Sequence, residues 1–220
     1  MIWTLPNILT LCRIALCPVV ALLPFITGYL PKIIAFVVFL IAAFSDLVDG
    51  RLARERNEVT EIGKLLDPLA DKLLLISTLV PIYWITTYRM VQYEIPWWGG
   101  VPLWVALVLV GREVMMTVFR EVAKRRGVII AAMGAGKLKT IFQDIFIGAT
   151  IAWFAWKDLT AAYGWETGWL GAIWDQFHGT VVAVTLAIAV LITVYSLGVY
   201  FYKYRALLHE IASDASSDGS

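Results

Sequence analysis

The chain has 220 residues, of which 60% are apolar, and it carries 10 tryptophans and 9 tyrosines. Soluble domains average about 45–50% apolar residues, so this composition excludes an ordinary soluble domain and predicts an all-α integral membrane protein. The net charge of +1 gives no electrostatic reason to expect a nucleic acid partner. Cys12 and Cys17 share one apolar segment and are predicted to be free thiols that are buried.

Six apolar segments of about 20 residues, the length that crosses a bilayer, follow one another along the chain. They are 8–29, 32–53, 65–87, 101–121, 137–156 and 179–202. We therefore predict one membrane domain with six transmembrane helices over residues 1–212. The polar residues 213–220 are predicted to form a disordered tail.

The basic residues are distributed unequally between the two ends of these helices. Of the 18 lysines and arginines, 15 fall at one end, and only Lys32, Arg89 and Lys157 fall at the other. The positive-inside bias predicts that the basic end, with both termini, faces the cytoplasm. We expect residues 157–178 to form an outer loop that has room for an interfacial helix.

Four aspartates lie at the cytoplasmic ends of the second and third segments. Asp46 and Asp49 are i,i+3 neighbours on a helix, and Asp67 and Asp71 are i,i+4 neighbours. Carboxylates beside lipid are costly unless they are paired, and a short connection would bring the two pairs together. Such a cluster can hold one or two hard divalent cations. The alternative is that each aspartate pairs with a nearby arginine or lysine.

Small residues accompany these acids. Gly50 and Ala53 keep the surface beside the carboxylates small, and Gly63 permits a close approach or a tight turn before the third helix. A cavity that is bounded by acids and small residues suits a metal-bound phosphate ligand. The acids and the small residues therefore predict one site.

The complete pattern D-x2-D-G-x2-A-R-x8-G-x3-D-x3-D, from Asp46 to Asp71, resembles the signature of the CDP-alcohol phosphotransferases at every fixed position. The opening L-P-N-x-L-T-x-x-R, from Leu5 to Arg13, is also similar. Members of that family are membrane enzymes with six transmembrane helices and a cytoplasm-facing active-site cavity, commonly homodimers. They transfer a phosphatidyl group from a CDP-linked lipid to an alcohol and release CMP. The resemblance implies the inner membrane of a bacterium as the location.

The resemblance also implies roles for the motif residues. Two Mg²⁺ or Mn²⁺ ions would be bound by Asp46, Asp49, Asp67 and Asp71. Asp71 would in addition act as the general base that takes the proton of the acceptor hydroxyl. The CDP-linked lipid would be bound by Asp49, Gly50, Ala53, Arg54 and Gly63.

The stretch from Gly111 to Thr140 contains R-E…R-E…R-G-V-x-I-A-A…G-K-x-K-T and resembles the phosphatidylglycerophosphate synthases of that family. These enzymes use CDP-diacylglycerol and sn-glycerol 3-phosphate. An anionic acceptor needs fixed cations, and arginine can bind phosphate in a bidentate way. The predicted phosphate-binding residues are Arg112, Arg120 and Lys137, with Glu113 as the partner of Arg112. Lipid-headgroup anchoring is predicted instead for Lys124, Arg125, Arg126 and Lys139.

Asn7, Thr10 and Arg13 fall on one helical stripe, and two interpretations of them stay open. They can face the acidic site, or Asn7 can cap the helix while Arg13 extends to the interface.

Other functions also stay open. Within the family, cardiolipin synthases use phosphatidylglycerol as the acceptor, and phosphatidylinositol-phosphate and phosphatidylserine synthases are further alternatives. A divalent-cation transporter is the alternative from another class. A transporter would place acids near the middle of the membrane, with polar residues continuing to the far side. Here the acids cluster at one edge, which favours the enzyme.

Overall fold

The computed structural model describes residues 4–55, 60–89, 93–95, 99–128, 134–165 and 168–205. Side chains are not described for residues 46–55, 61, 64, 89, 134–135, 137 and 170. The predicted tail, 213–220, lies outside the described residues.

The described chain is helical, as predicted. The helices are α1 (Leu5–Leu22), α2 (Tyr29–Glu55), α3 (Glu61–Trp84), α4 (Leu103–Arg125), α5 (Gly134–Tyr163) and α6 (Trp169–Lys203). A 3-10 turn, Leu23–Phe25, extends α1, and a π-helical turn, Ile85–Arg89, extends α3. Both cysteines are free thiols, as predicted. Cys17 is buried, but the prediction that Cys12 is buried is wrong, because this side chain lies on the exposed face of α1.

The third helix begins earlier than the sequence predicts, at Glu61 rather than residue 65. Thr60 caps it, because the Thr60 Oγ1 accepts a hydrogen bond of 2.9 Å from the backbone N–H of Gly63. Gly63 therefore lies in the first turn of α3 and not in a tight turn before it. Side-chain capping by threonine stabilises a helix start by about 1 kcal/mol.

The prediction of an outer loop over residues 157–178 is wrong. Helix α5 continues to Tyr163 and α6 begins at Trp169, and no separate interfacial helix occurs in the described part of this segment. The reason is a contact between the two helices: the Lys157 Nζ lies 2.8 Å from the Asp175 Oδ2, and the Trp153 Nε1 donates a 3.0 Å hydrogen bond to the Asp175 Oδ1. These pairs let both helices continue beyond their apolar stretches.

The helices pack in a closed ring. The packed neighbours in order are α1–α2, α2–α5, α5–α6, α6–α4, α4–α3 and α3–α1. Large side chains from four helices fill the interior, including the fully buried Phe39, Leu79, Leu109 and Phe146. The ring brings the carboxyl-terminal halves of α2 and α4 to the same end as the amino-terminal halves of α3 and α5.

The outside of the ring is apolar. Helix α2 exposes Ile33, Val37, Ile41 and Phe44, and the other helices expose similar rows. Soluble monomers rarely expose apolar patches of more than a few hundred Å², so this surface belongs in lipid. Three segments are long and apolar enough to cross a bilayer by themselves: Leu5–Phe25, Leu138–Tyr163 and Gly171–Lys203. The chain is therefore an integral membrane protein, and the count of six spans stays a prediction.

The end of the ring that contains the start of α2 has a polar cluster of its own, which we call the clamp. The Lys32 side chain is only 3% exposed. Its Nζ donates to the backbone carbonyls of Ile26 and Gly28 and lies 2.5 Å from the Asp158 Oδ2. The Tyr93 hydroxyl also donates to Asp158. The clamp satisfies its polar groups internally and ties α2, α5 and the segment after α3 together.

Helix α1 packs closely against α3 at Gly63. A Cβ at this position would lie 2.7 Å from the Asn7 Oδ1 and 3.1 Å from the Thr60 Oγ1. The Asn7 amide cannot move away freely, because it is buried and exchanges hydrogen bonds with the Thr60 hydroxyl at 3.0 and 3.1 Å. The close approach that the sequence predicts is present, and it serves helix packing.

We expect Gly63→Ala to destabilise the protein by about 1–3 kcal/mol, the usual cost of overpacking. The matched control is Gly111→Ala in α4, where a Cβ would meet nothing within 4 Å. That change should stabilise by about 0.5–1 kcal/mol because alanine favours helix. Thermal unfolding in detergent measures both. A Gly63→Ala protein as stable as its Gly111→Ala counterpart would contradict this packing role.

Candidate active site

A polar cavity of about 270 Å³ lies between the helices at the end opposite the clamp. Helices α1 to α5 all contribute to its wall. Its charged lining includes Arg13, Asp67, Asp71, Lys72, Glu113, Arg120, Lys139 and Asp144. The cavity therefore brings together residues that the sequence predicts for the acidic motif and for the acceptor.

Helix α1 donates to both acids of α3. The Thr10 Oγ1 donates a 2.9 Å hydrogen bond to the Asp67 Oδ1, and the Arg13 Nη1 lies 3.2 Å from the Asp71 Oδ1. Thr10 and Arg13 are each 1% exposed, whereas the Asp71 side chain is 57% exposed. The donors are thus fixed inside the bundle, and the Asp71 carboxylate is open to the cavity.

The structure favours one of the two interpretations of the α1 stripe formed by Asn7, Thr10 and Arg13. Thr4 is the N-cap of α1, so Asn7 lies inside the helix and does not cap it. Arg13 is buried beside α3 and does not extend to the interface. Its Nε lies 3.5 Å from the Ser45 Oγ on α2. The stripe therefore faces α3, and Arg13 connects three helices.

The remaining residues of the acidic motif lie in the last turns of α2. The helical backbone places Asp46 and Asp49 three residues apart on one face, but the side chains of Asp46, Asp49, Gly50, Ala53 and Arg54 lie outside the described residues. Among the side chains that are described, no group of three or more potential metal ligands occurs. The metal and CDP-lipid sites therefore stay predictions.

A buried ionic cluster connects α4 to α5. The Glu113 Oε1 accepts from the Arg112 Nη1 at 2.6 Å and from the Lys139 Nζ at 2.8 Å. The Arg112 Nη2 also donates to the Ser196 Oγ on α6 at 3.3 Å. The predicted pairing of Arg112 with Glu113 is present. Arg112 reaches the cavity only through its partner, because Glu113 and Lys139 line the wall and Arg112 does not.

The other predicted cations divide into two groups. Arg120 lines the cavity, and its Nη2 lies 3.4 Å from the Tyr200 hydroxyl. Lys124, Arg125 and Arg126 are exposed at the end of α4. The Lys137 side chain lies outside the described residues. Arg120 is therefore the predicted phosphate ligand that the structure places on the cavity wall.

The prediction that Lys139 anchors the chain to lipid headgroups is wrong. Lys139 is 1% exposed and points into the cavity. The helical face of α5 explains this, since Lys139, Gln143 and Ile147 are spaced by one turn and all line the wall. Gln143 is a cavity residue that the sequence reasoning missed. Ile147, one turn further along α5, is apolar, and its spacing from Gln143 is the feature of the sequence that indicates an inward-facing side of the helix.

Comparison with known proteins gives the family. The family model described as CDP-alcohol phosphatidyltransferase matches residues 3–209. The chain belongs to this family. Its members are enzymes, so the family decides against the transporter alternative and makes this chain a phosphatidyltransferase.

Individual relatives carry more specific names. The chain is 37% identical over 161 residues to the CDP-diacylglycerol–glycerol-3-phosphate 3-phosphatidyltransferase of Bacillus subtilis, covering 68% of this chain and 77% of that protein. It is 33% identical over 162 residues to the protein of the same name from Salmonella typhimurium, covering 70% and 78%. It is also 33% identical over 176 residues to a cardiolipin synthase (CMP-forming) of Streptomyces coelicolor, covering 76% and 75%. The names of these relatives agree on the class of enzyme and differ on the alcohol that accepts the phosphatidyl group.

The ionic cluster predicts an asymmetric response to mutation. Removing the charge of Glu113 by Glu113→Gln leaves Arg112 and Lys139 as two buried cations without a counter-charge. Breaking a buried pair in this way costs about 3–5 kcal/mol. Lys139→Met removes one cation and leaves the Arg112–Glu113 pair intact, so we expect a clearly smaller loss.

Thermal unfolding in detergent tests this order. The control is Glu121→Gln, whose carboxylate forms an exposed i,i+4 pair with Arg125 and should contribute less than about 1 kcal/mol. If Lys139→Met were as damaging as Glu113→Gln, the carboxylate would not be the centre of the cluster.

Proposed function

We propose that the chain transfers the phosphatidyl group of CDP-diacylglycerol to sn-glycerol 3-phosphate, giving phosphatidylglycerophosphate and CMP. One observation carries the proposal: the cavity places Asp67 and Asp71 on one wall and Lys139 and Arg120 on another. Acids suit the activation of a nucleophile, and the cations suit an anionic acceptor. The names of the Bacillus and Salmonella relatives describe this reaction.

The reaction needs a base for the acceptor hydroxyl. The hydroxyl oxygen attacks the lipid-side phosphorus and forms a new P–O bond, while the bond between that phosphorus and the CMP oxygen breaks and CMP leaves with the electron pair. The hydroxyl proton passes to the Asp71 carboxylate. Asp71 suits this role because it is open to the cavity and Arg13 fixes its orientation at 3.2 Å.

The acidic motif fits divalent cations by its donor chemistry. Asp67 and Asp71 present carboxylates on consecutive turns of α3 at the cavity, and the backbone of α2 carries Asp46 and Asp49 at the same end of the bundle. Hard oxygen donors are those that Mg²⁺ and Mn²⁺ prefer. We assign two ions to these four residues. When bound, they would neutralise the pyrophosphate and stabilise the departing CMP.

The donor lipid is assigned to the end of α2. Asp49, Gly50, Ala53 and Arg54 follow Ala43, which lines the cavity, by two to three helical turns. We infer that CDP lies beside them at the cavity mouth while the acyl chains follow the apolar outer surface. Gly63 has a second role, since its missing Cβ is what allows Asn7 to pack against α3.

The acceptor phosphate is assigned to Lys139 and Arg120, with Lys137 on the same helix as Lys139. A phosphomonoester carries about −1.5 to −2 charges at neutral pH, which suits two cations on the cavity wall. Arg112 positions this group through Glu113, because its guanidinium binds Glu113 and Ser196. Phosphatidylglycerol, the acceptor of a cardiolipin synthase, is a diester with only one negative charge and fits this wall less well.

We also propose that all six helices cross the bilayer with the cavity and both termini on the cytoplasmic side of a bacterial inner membrane. Helices α3 and α4 have 24 and 23 residues, which at about 1.5 Å per residue exceeds the roughly 30 Å of hydrocarbon. Among their described charged residues, Asp67, Asp71, Lys72, Glu113 and Arg120 line the cavity. The excess of basic residues at this end supports the orientation. A homodimer is proposed from the family resemblance.

The acceptor is tested by CMP release from purified protein with CDP-diacylglycerol and Mg²⁺. Glycerol 3-phosphate, phosphatidylglycerol, inositol phosphate and serine are added one at a time. We expect release with glycerol 3-phosphate alone and none from the Asp71→Asn variant. Release with phosphatidylglycerol alone would make the chain a cardiolipin synthase, and full turnover by Asp71→Asn would remove the proposed base.

The Thr10 hydrogen bond predicts a specific effect on metal binding. Thr10→Val keeps the shape of the side chain but removes the donor to Asp67, so the carboxylate loses its fixed orientation. A loss of about 1 kcal/mol, typical of one hydrogen bond, should raise the Mn²⁺ dissociation constant roughly fivefold. Electron paramagnetic resonance of free Mn²⁺ measures this change directly.

Thr78→Val is the matched control. Thr78 lines the same cavity, but its hydroxyl donates only to the backbone carbonyls of Leu74 and Leu75. Its replacement should leave Mn²⁺ affinity unchanged. Equal affinities in the two variants would show that Thr10 does not act on the metal site.

A further inference from the structure

Gln143 is a buried residue of the cavity wall, and its side-chain oxygen accepts no hydrogen bond from the described residues. The side chain is 6% exposed, and its Oε1 has no hydrogen-bond partner among the described residues. Leaving a buried polar group unsatisfied costs about 1–3 kcal/mol. The group is therefore expected to have a partner that is not part of the described chain.

The other buried polar atoms without partners lie elsewhere. In the described part of the chain they belong to Thr4, Arg112, His178 and Thr193, and none of these residues lines the cavity. Within the cavity, the threonine hydroxyl of Thr78 is satisfied by its own helix. Gln143 alone combines a place on this wall with an unused acceptor in the described structure, which points to a cavity ligand as its partner.

The position of Gln143 on α5 indicates which part of a ligand it meets. It lies one turn after Lys139 and one turn before Ile147, and all three line the cavity. Gln143 thus stands between the phosphate-binding cation and the apolar floor. Asp71 lines the same cavity from α3. Because all these residues line one cavity, a ligand bound between Lys139 and Asp71 is within the same space as the Gln143 carboxamide.

We propose that Gln143 is a specificity-determining residue that binds the secondary hydroxyl of the acceptor. The inference rests on the proposed function. In glycerol 3-phosphate the phosphate and the attacking primary hydroxyl are the two ends of a three-carbon chain, and the secondary hydroxyl lies between them. With the phosphate at Lys139 and the primary hydroxyl at Asp71, the secondary hydroxyl faces the carboxamide. A carboxamide can rotate to accept from or donate to a hydroxyl.

The test compares glycerol 3-phosphate with 3-hydroxypropyl phosphate, which keeps the phosphate and the primary hydroxyl but lacks the secondary hydroxyl. A site built to bind a hydroxyl discriminates against the analogue that lacks it. Wild-type protein should prefer glycerol 3-phosphate in kcat/KM by about fivefold or more, the equivalent of one hydrogen bond. Gln143→Leu should abolish most of this preference by lowering kcat/KM for glycerol 3-phosphate alone.

The controls separate recognition from packing. Thr78→Val, on the same wall, should keep the wild-type preference. Gln143→Met, unbranched and close in size to glutamine, repeats the test if the leucine variant does not fold. An equal loss with both acceptors in a folded Gln143 variant would mean a packing role and overturn the inference, as would a wild-type protein that uses both acceptors equally.

The outcomes also separate this inference from the proposed function. If wild-type protein releases CMP with glycerol 3-phosphate but the Gln143 variants keep its preference, only the assignment of Gln143 fails. If wild-type protein does not use glycerol 3-phosphate, the proposed function fails first.

Discussion

The structure depends on one constraint, which is that charged groups inside a membrane bundle need partners. Asp67 and Asp71 are satisfied by Thr10 and Arg13 of α1, at 2.9 and 3.2 Å. Because both donors are buried at the interface of α1 with α3, the acids and the helix packing depend on each other. The apolar residues on the outer faces of the same helices are exposed and suit contact with lipid.

The two sides of the cavity are stabilised in different ways. On the acid side the partners come from α1, and on the other side Glu113 holds Arg112 and Lys139 together at 2.6 and 2.8 Å. Glu113 and Asp144 balance Arg112 and Lys139 on that side, and Arg120 adds the positive charge that remains in excess. The cavity is therefore polarised before any substrate enters, and an anionic acceptor can bind without first reorganising the wall.

The sequence predicted what depends on local pattern and missed what depends on contacts between helices. Helical spacing and apolar content predicted the six helices. The approach of the two aspartate pairs stays a prediction, because the side chains of Asp46 and Asp49 lie outside the described residues. The extension of α5 and α6 was missed because Lys157 and Asp175 meet only after both helices have packed. Lys139 was misplaced for a similar reason. A lysine at the basic end of an apolar segment is typical of an interfacial anchor. Only the orientation of α5 in the packed bundle turns the Lys139 side chain toward Glu113.

The two polar regions of the bundle are separated by a packed apolar layer. Between Gln143 in the cavity and Asp158 in the clamp, α5 contributes the buried Phe146, Ile147, Ile151 and Phe154. The Lys32 ammonium is bound by two carbonyls and Asp158, so the described clamp groups bind one another. A transport route would need polar groups that continue from one region to the next. A bundle with its reaction cavity at one end, and with apolar packing between that cavity and the clamp, suits a reaction in which soluble substrate and product use the same face of the membrane.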